Sequence, residues 1–163
     1  MRNGIEPKMN VRPFKSLKKL RKLESDFDLV VVDTRGLSDQ LTEEISKESD
    51  WVFLPTGTSM DDPRPTLALA RKLGRTPRLS NKIQLILSRI GRSDKQLADA
   101  RIIINEAGFT ALSEIWPHRD GFVSEFDAGL AGSEAANPHL RAAAELLEAL
   151  MFNQTIQAHK KRS

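Results

Sequence analysis

The sequence predicts an α/β protein with a wound, mostly parallel sheet and flanking helices. Three short apolar runs carry that expectation: Leu29-Val30-Val31-Val32, Trp51-Val52-Phe53-Leu54 and Ile83-Gln84-Leu85-Ile86-Leu87. The stretches around them place apolar residues at helical spacing, and strands alternating with such helices are the pattern of parallel sheets. The first run is the organising one, because four consecutive aliphatic residues, three of them valine, are what a strand buried on both faces requires. Asp33 stands where that strand should end. Ligands of open α/β sheets bind beyond the carboxyl ends of the strands, so this carboxylate is aimed at the crevice where a metal-bound phosphate would lie. Gly36 would let the backbone come close to such a ligand. The plainer alternative is a strand followed by a tight turn whose Asp caps a loop.

Length and composition bound the remaining classes. The 163 residues suffice for one domain with a real core, read as residues 1–163 with an irregular arm at 1–12 and a basic tail at 156–163. The absence of cysteine excludes disulfides, thiolate metal sites and a cysteine nucleophile, and a reducing compartment is allowed. No apolar run approaches the roughly 20 residues needed to span a bilayer, and the basic N-terminus is not followed by an apolar signal core. The expected setting is cytoplasmic, with no membrane partner.

The net charge of +3 is unevenly spread. Residues 1–24 carry eight Lys or Arg against two Glu, and residues 64–92 carry eight basic side chains and no acid, while residues 33–62 hold eight acids and two bases. Such blocks favour an anionic partner on one face, nucleic acid first among them. Solvated helix faces are the plainer account of the same runs.

Along the chain, Phe14, Leu17, Leu20 and Leu23 recur at helical spacing between lysines and arginines, a short amphipathic helix. Ser38 can cap the next helix, with Leu37, Leu41 and Ile45 on one face. Pro55 and Gly57 end the second strand. Asp62-Pro63 is a helix start, since Asp accepts orphan N–H groups and proline fits the first turn, and Gly74 is the expected stop. Asp61 and Asp62 could form a metal pair, but before Pro63 they read more simply as a cap. A basic loop then leads to the third strand. Ser93 with Gln96 resembles a capping box for a helix bearing Leu97, Ala100 and Ile104, closed by Gly108. A fourth strand is expected over 111–116, a short helical segment around 119–128, and a last helix from Asn137-Pro138 bearing Leu140, Ala144, Leu147 and Met151. His118, His139 and His159 are too scattered for a local metal-ligand pair, and no G-x-S-x-G elbow supports serine hydrolysis.

The order of these pieces resembles the C-terminal two-thirds of the ParA/MinD-like deviant-Walker partition ATPases. It runs from a buried strand ending in Asp33-Thr34-x-Gly36, through an acidic helix, to Ser49-Asp50-Trp51-Val52-Phe53-Leu54-Pro55. Asp62, Thr66-Leu67-Ala68-Leu69, Ile83–Ile90, a Pro117-x-Arg119 turn and an alanine- and leucine-rich helix at 138–151 follow. The resemblance covers about residues 14–155, and its strength lies in the order and spacing of the motifs. It implies a P-loop NTPase-like fold and a role in plasmid or chromosome partition or cargo positioning. ATP and Mg²⁺ are implied as cofactors, with Asp33 as the Walker B carboxylate organising Mg²⁺ through water. Thr34 and Gly36 would form the switch, and Pro55, Ser88 and Arg89 would lie near the nucleotide base. Arg71, Lys72, Arg75, Arg78 and Lys82 would make sequence-independent DNA contacts. An adaptor protein and a second copy of the chain are the implied protein partners.

The sequence departs from that family at the phosphate site. A P-loop cradles phosphates with backbone amides and a lysine, yet no glycine here is followed by lysine. The nearest approach is Gly91-Arg92-Ser93, where arginine replaces the lysine and Ile86 occupies the position of the first glycine. Arg35 stands where the family switch has prolines. The chain thus looks like a ParA-type domain lacking its first strands: a truncated product, a degenerate pseudo-ATPase, or a half-domain completed by a partner. ATPase activity is undecided at this level. A sheet missing an edge would expose apolar surface and unpaired N–H groups, so self-association is expected. The alternative function is a non-catalytic module that binds DNA or a partner protein through its basic face.

Overall fold

A computed structural model describes residues 11–14, 16–34, 40–59, 61–91, 93–117 and 131–162, with side chains as far as Phe152. The chain divides into two compact units, Met1–Ser49 and Asp50–Ser163. In the first, α1 (Leu17–Glu24) and α2 (Gln40–Glu48) are in contact, and the Arg21 guanidinium meets the Glu48 carboxylate at 2.6 Å. The periodicity of Leu17, Leu20 and Leu23 thus marks a real helix. Ser38, the expected cap of α2, lies outside the described residues, as does the segment 119–128.

The second unit is α/β. Strands β1 (Val52–Thr56), β2 (Ile83–Ile90) and β3 (Ala111–Pro117) form a parallel three-stranded sheet in the order β1-β2-β3. Helices α3 (Pro63–Gly74), α4 (Pro77–Ser80) and α5 (Asp94–Glu106) fill the crossovers. Two successive right-handed crossovers in one direction put α3 and α5 on the same face of a sheet. The core follows from that: Leu67 and Leu73 from α3, Leu79 from α4 and Ile104 from α5 close over Leu54, Leu85 and Leu87. The final helix α6 (Pro138–Arg162) takes the other face. Its Leu140 packs with Ala135 against Trp116, and the Trp51 indole N–H donates to the Leu150 carbonyl at 3.0 Å, so α6 crosses from β3 to β1.

Local signals account for most boundaries. The Ser93 hydroxyl accepts the Gln96 N–H at the start of α5. At its end Gly108 adopts φ +83°, with Gly108 N–H on Asn105 O and Phe109 N–H on Ile104 O, the paired bonds of a Schellman ending. Asn137 Oδ1 accepts from His139 and Leu140 at the start of α6. No glycine or proline follows Pro138 within α6, so the helix continues through the expected basic tail to Arg162, with cations at its negative end. The basic loop expected after Gly74 holds one more helical turn, α4, begun by Thr76-Pro77 and fastened by the buried Leu79.

The expected strand at Leu29–Val32 is not there. The described residues 26–34 carry neither helix nor strand, and Leu29, Val30 and Val31 are 43, 39 and 78 % exposed. An aliphatic run specifies what a segment would bury, whereas a strand exists only through a ladder, and the ladders among the described residues join β1 to β2 and β2 to β3.

Candidate nucleic-acid interface

The carboxyl end of the sheet gathers three of the residues assigned to a nucleotide. Pro55 lies beside Ile86 of β2, and Ser88 and Arg89 follow two and three residues further along β2. Pro55 and Arg89 are exposed and Ser88 is half-buried. Arg89 has φ +55°, the left-handed region that side chains other than glycine seldom enter. It sits in the register shift between Ser88 and Ile90 against β3, so the bulge turns Arg89 outward and returns Ile90 to the core.

The described residues of the β1–α3 and β2–α5 turns do not fit a phosphate group. Between β1 and α3 the Asp62 carboxylate folds back over Gly57, where an added Cβ would stand 2.9 Å from Asp62 Cγ. Asp62 makes no capping bond with its side chain, contrary to the expected cap, and its own N–H is donated to Ser59 O. Pro63 and Pro65 remove two donors from the first turn of α3, and Asp61 and Asp62 place negative charge where an anion would need to approach. Between β2 and α5, Ser93 is committed to Gln96 and Asp94 occupies the first turn. Among the described residues no three His, Asp or Glu side chains gather as a metal site. Asp33 and Thr34 belong to the first unit and are exposed, and Gly36 lies outside the described residues.

The basic residues are organised differently. On α3 the buried positions Pro63, Leu67, Ala70 and Leu73 define one face. At about 100° per residue, Arg64, Arg71 and the capping residue Arg75 fall within roughly 40° of one another on a flank beside that face. All three are exposed, as are Lys72 and, on α4, Arg78. Arg64, Arg71, Arg75 and Arg78 have no ion pair among the described residues. No acid occurs between Pro63 and Arg92, which explains the lack of local neutralisation. Lys82 differs from the rest: it is half-buried, and its backbone joins Leu79 O to Val52 N–H at the entry to β2. Arg64, counted in the charge run but not among the expected DNA contacts, belongs to the row by its spacing of seven and eleven residues from Arg71 and Arg75.

Other arginines are engaged in the fold. The Arg101 guanidinium donates to Leu112 O at 3.0 Å and Ser113 O at 2.7 Å, and Arg141 donates to Ala135 O through Nε and Nη2 at 3.0 and 2.9 Å. Arg64, Arg71, Arg75 and Arg78 are therefore distinguished by lacking an ion pair among the described residues as well as by their charge. No helix among the described residues is long and apolar enough to cross a membrane. The fold and these residues define an α/β protein with a parallel three-stranded sheet and a cationic helix row. Comparison with known protein families, curated proteins and solved structures finds no match.

Proposed function

We propose that this chain is a ParA-like partition module that holds DNA without sequence preference through the α3–α4 row. The partition setting rests on the resemblance in motif order. The DNA reading rests on one observation: Arg64, Arg71 and Arg75 form an exposed row with Arg78 beyond it, and no acid lies on the same stretch of chain. Arginine is suited to this work because its planar fork engages phosphate oxygens bidentately and its charge persists at any physiological pH. Phosphate contacts carry no base information, so the module would take duplexes of different sequence alike. The acidic, proline-bearing turn at the start of α3 favours the helix flank over that helix start as the place where phosphates are held.

The test is retention of a labelled duplex by the wild type and by Arg71→Glu/Lys72→Glu/Arg75→Glu. Retention by the wild type that is lost on reversal, with an unchanged circular dichroism spectrum, is the expected result. Equal retention by both proteins would dismiss the row as the interface.

A further inference from the structure

We infer that α1 carries a second phosphate-binding surface, Lys18, Lys19 and Lys22, on the separate first unit, so that the chain holds nucleic acid at two points. The helix is amphipathic in a way that decides which side is available. Leu17, Leu20 and Leu23 lie on one side and are half-buried, and α1 is in contact with α2. Arg21 faces the same neighbour and is spent on Glu48. Lys18 and Lys22 project from the opposite side and Lys19 from its flank, all exposed and without an ion pair among the described residues. Lys18 and Lys22 are one turn apart, about 6 Å along the axis. Three uncompensated ammonium groups on one turn of helix repel each other, and a polyanion relieves that repulsion while releasing its own counterions.

The same side chains could suit an anionic membrane, but an interfacial helix needs its apolar face free to enter the lipid. Here the leucines are already half-buried, which favours a partner read by charge alone. Two compact units with a cationic face each would also gain from linkage, because the second contact forms at the effective concentration set by the first.

This inference extends the DNA reading of α3 but stands on different residues, so the two can fail separately. The experiment compares the wild type with Lys18→Gln/Lys22→Gln, using Lys47→Gln/Lys95→Gln as a charge-matched control on exposed lysines elsewhere. Duplex binding is followed by fluorescence anisotropy between about 50 and 200 mM salt. Loss of two contacts should flatten the slope of log K on log salt by about 1.8, and weaken binding at 0.1 M salt by roughly 60-fold if the contacts contribute nothing at 1 M. The control should keep the wild-type slope. An α1 variant indistinguishable from the control overturns the inference, whatever the α3 variants do. So does sedimentation with phosphatidylserine vesicles that is lost in the α1 variant while DNA binding is unchanged.

Discussion

Neutralising the α3 row by Arg64→Gln/Arg71→Gln/Arg75→Gln tests the proposed interface by its electrostatics rather than by simple loss of binding. Eleven residues separate the first arginine from the last, so the row is about 16 Å long at 1.5 Å per residue. Duplex DNA presents one charge per ~1.7 Å of axis counted over both strands, so that length faces roughly nine phosphates, ample for three guanidinium groups. Each contact contributes about 0.9 to the salt slope, and removing three should lower its magnitude by about 2.7. Between 50 and 200 mM salt the wild type should then lose about 40-fold more affinity than the variant loses. The substitutions lie on exposed positions flanking the buried face of the helix, and glutamine keeps the helix propensity, so Tm should hold steady. Anisotropy of a short labelled duplex, titrated at several salt concentrations, reads the slope directly. A slope lowered by less than about 1, or lowered equally by Lys47→Gln/Lys95→Gln, would refute the idea that these arginines act as a row on phosphates.

Leu79→Ala should destabilise the second unit by about 2–5 kcal/mol, because the side chain is 1 % exposed and closes the core from a single turn of helix. Ile102→Ala, 54 % exposed on α5, should leave the thermal midpoint within a few degrees, and equal shifts in the two variants would contradict the packing described. Titration with Mg-ATP should give no binding at micromolar levels; heat that vanishes in Asp33→Ala would restore a nucleotide role to that carboxylate. For the expected self-association, light scattering should show a mass that rises with protein concentration and falls back in Val31→Lys, and a wild type that stays monomeric would set it aside.

The sequence shows the second unit well because its signals there are local. Ser93, Gly108 and Asn137 act on backbone groups within a few residues, and the helices they bound follow from that. The alternation of Leu85 and Leu87 with Gln84 and Ser88 describes a strand whose two faces meet different helices, and β2 supplies its own neighbours on both sides. Residues 29–32 have an equally clear composition and form no strand, since pairing depends on residues far away in the chain that no local pattern names. The candidate site divides in the same way. Helical spacing alone places Arg64, Arg71 and Arg75 together, whereas the turn of Asp62 onto Gly57 instead of the helix start depends on how the β1–α3 connection closes. The positive φ of Arg89 likewise arises from the register shift against β3, which no side-chain pattern announces.

The margins of the sheet bear on how copies of the chain could associate. Val52 donates its N–H to Lys82 O, so alternate residues of β1 face β2, and Trp51, Phe53 and Pro55 direct their backbone polar groups to the other side. Pro55 has no N–H to offer there, which removes one rung from any strand added along that side. At β3 the register against β2 shifts between Ala111 and Ile115, and Arg101 occupies the carbonyls of Leu112 and Ser113 within that irregular stretch. A missing donor at one margin and occupied acceptors at the other are the features by which sheets discourage edge-to-edge growth. The exposed apolar side chains of Phe27, Leu29, Val30 and Val31 need no such ladder to stick to one another. Association driven by them would bury side chains without extending the sheet, and would yield small assemblies rather than fibres. Thioflavin fluorescence should therefore stay at baseline in samples whose scattering mass has risen. A thioflavin signal that grows with mass would mean that the margins are open to pairing after all.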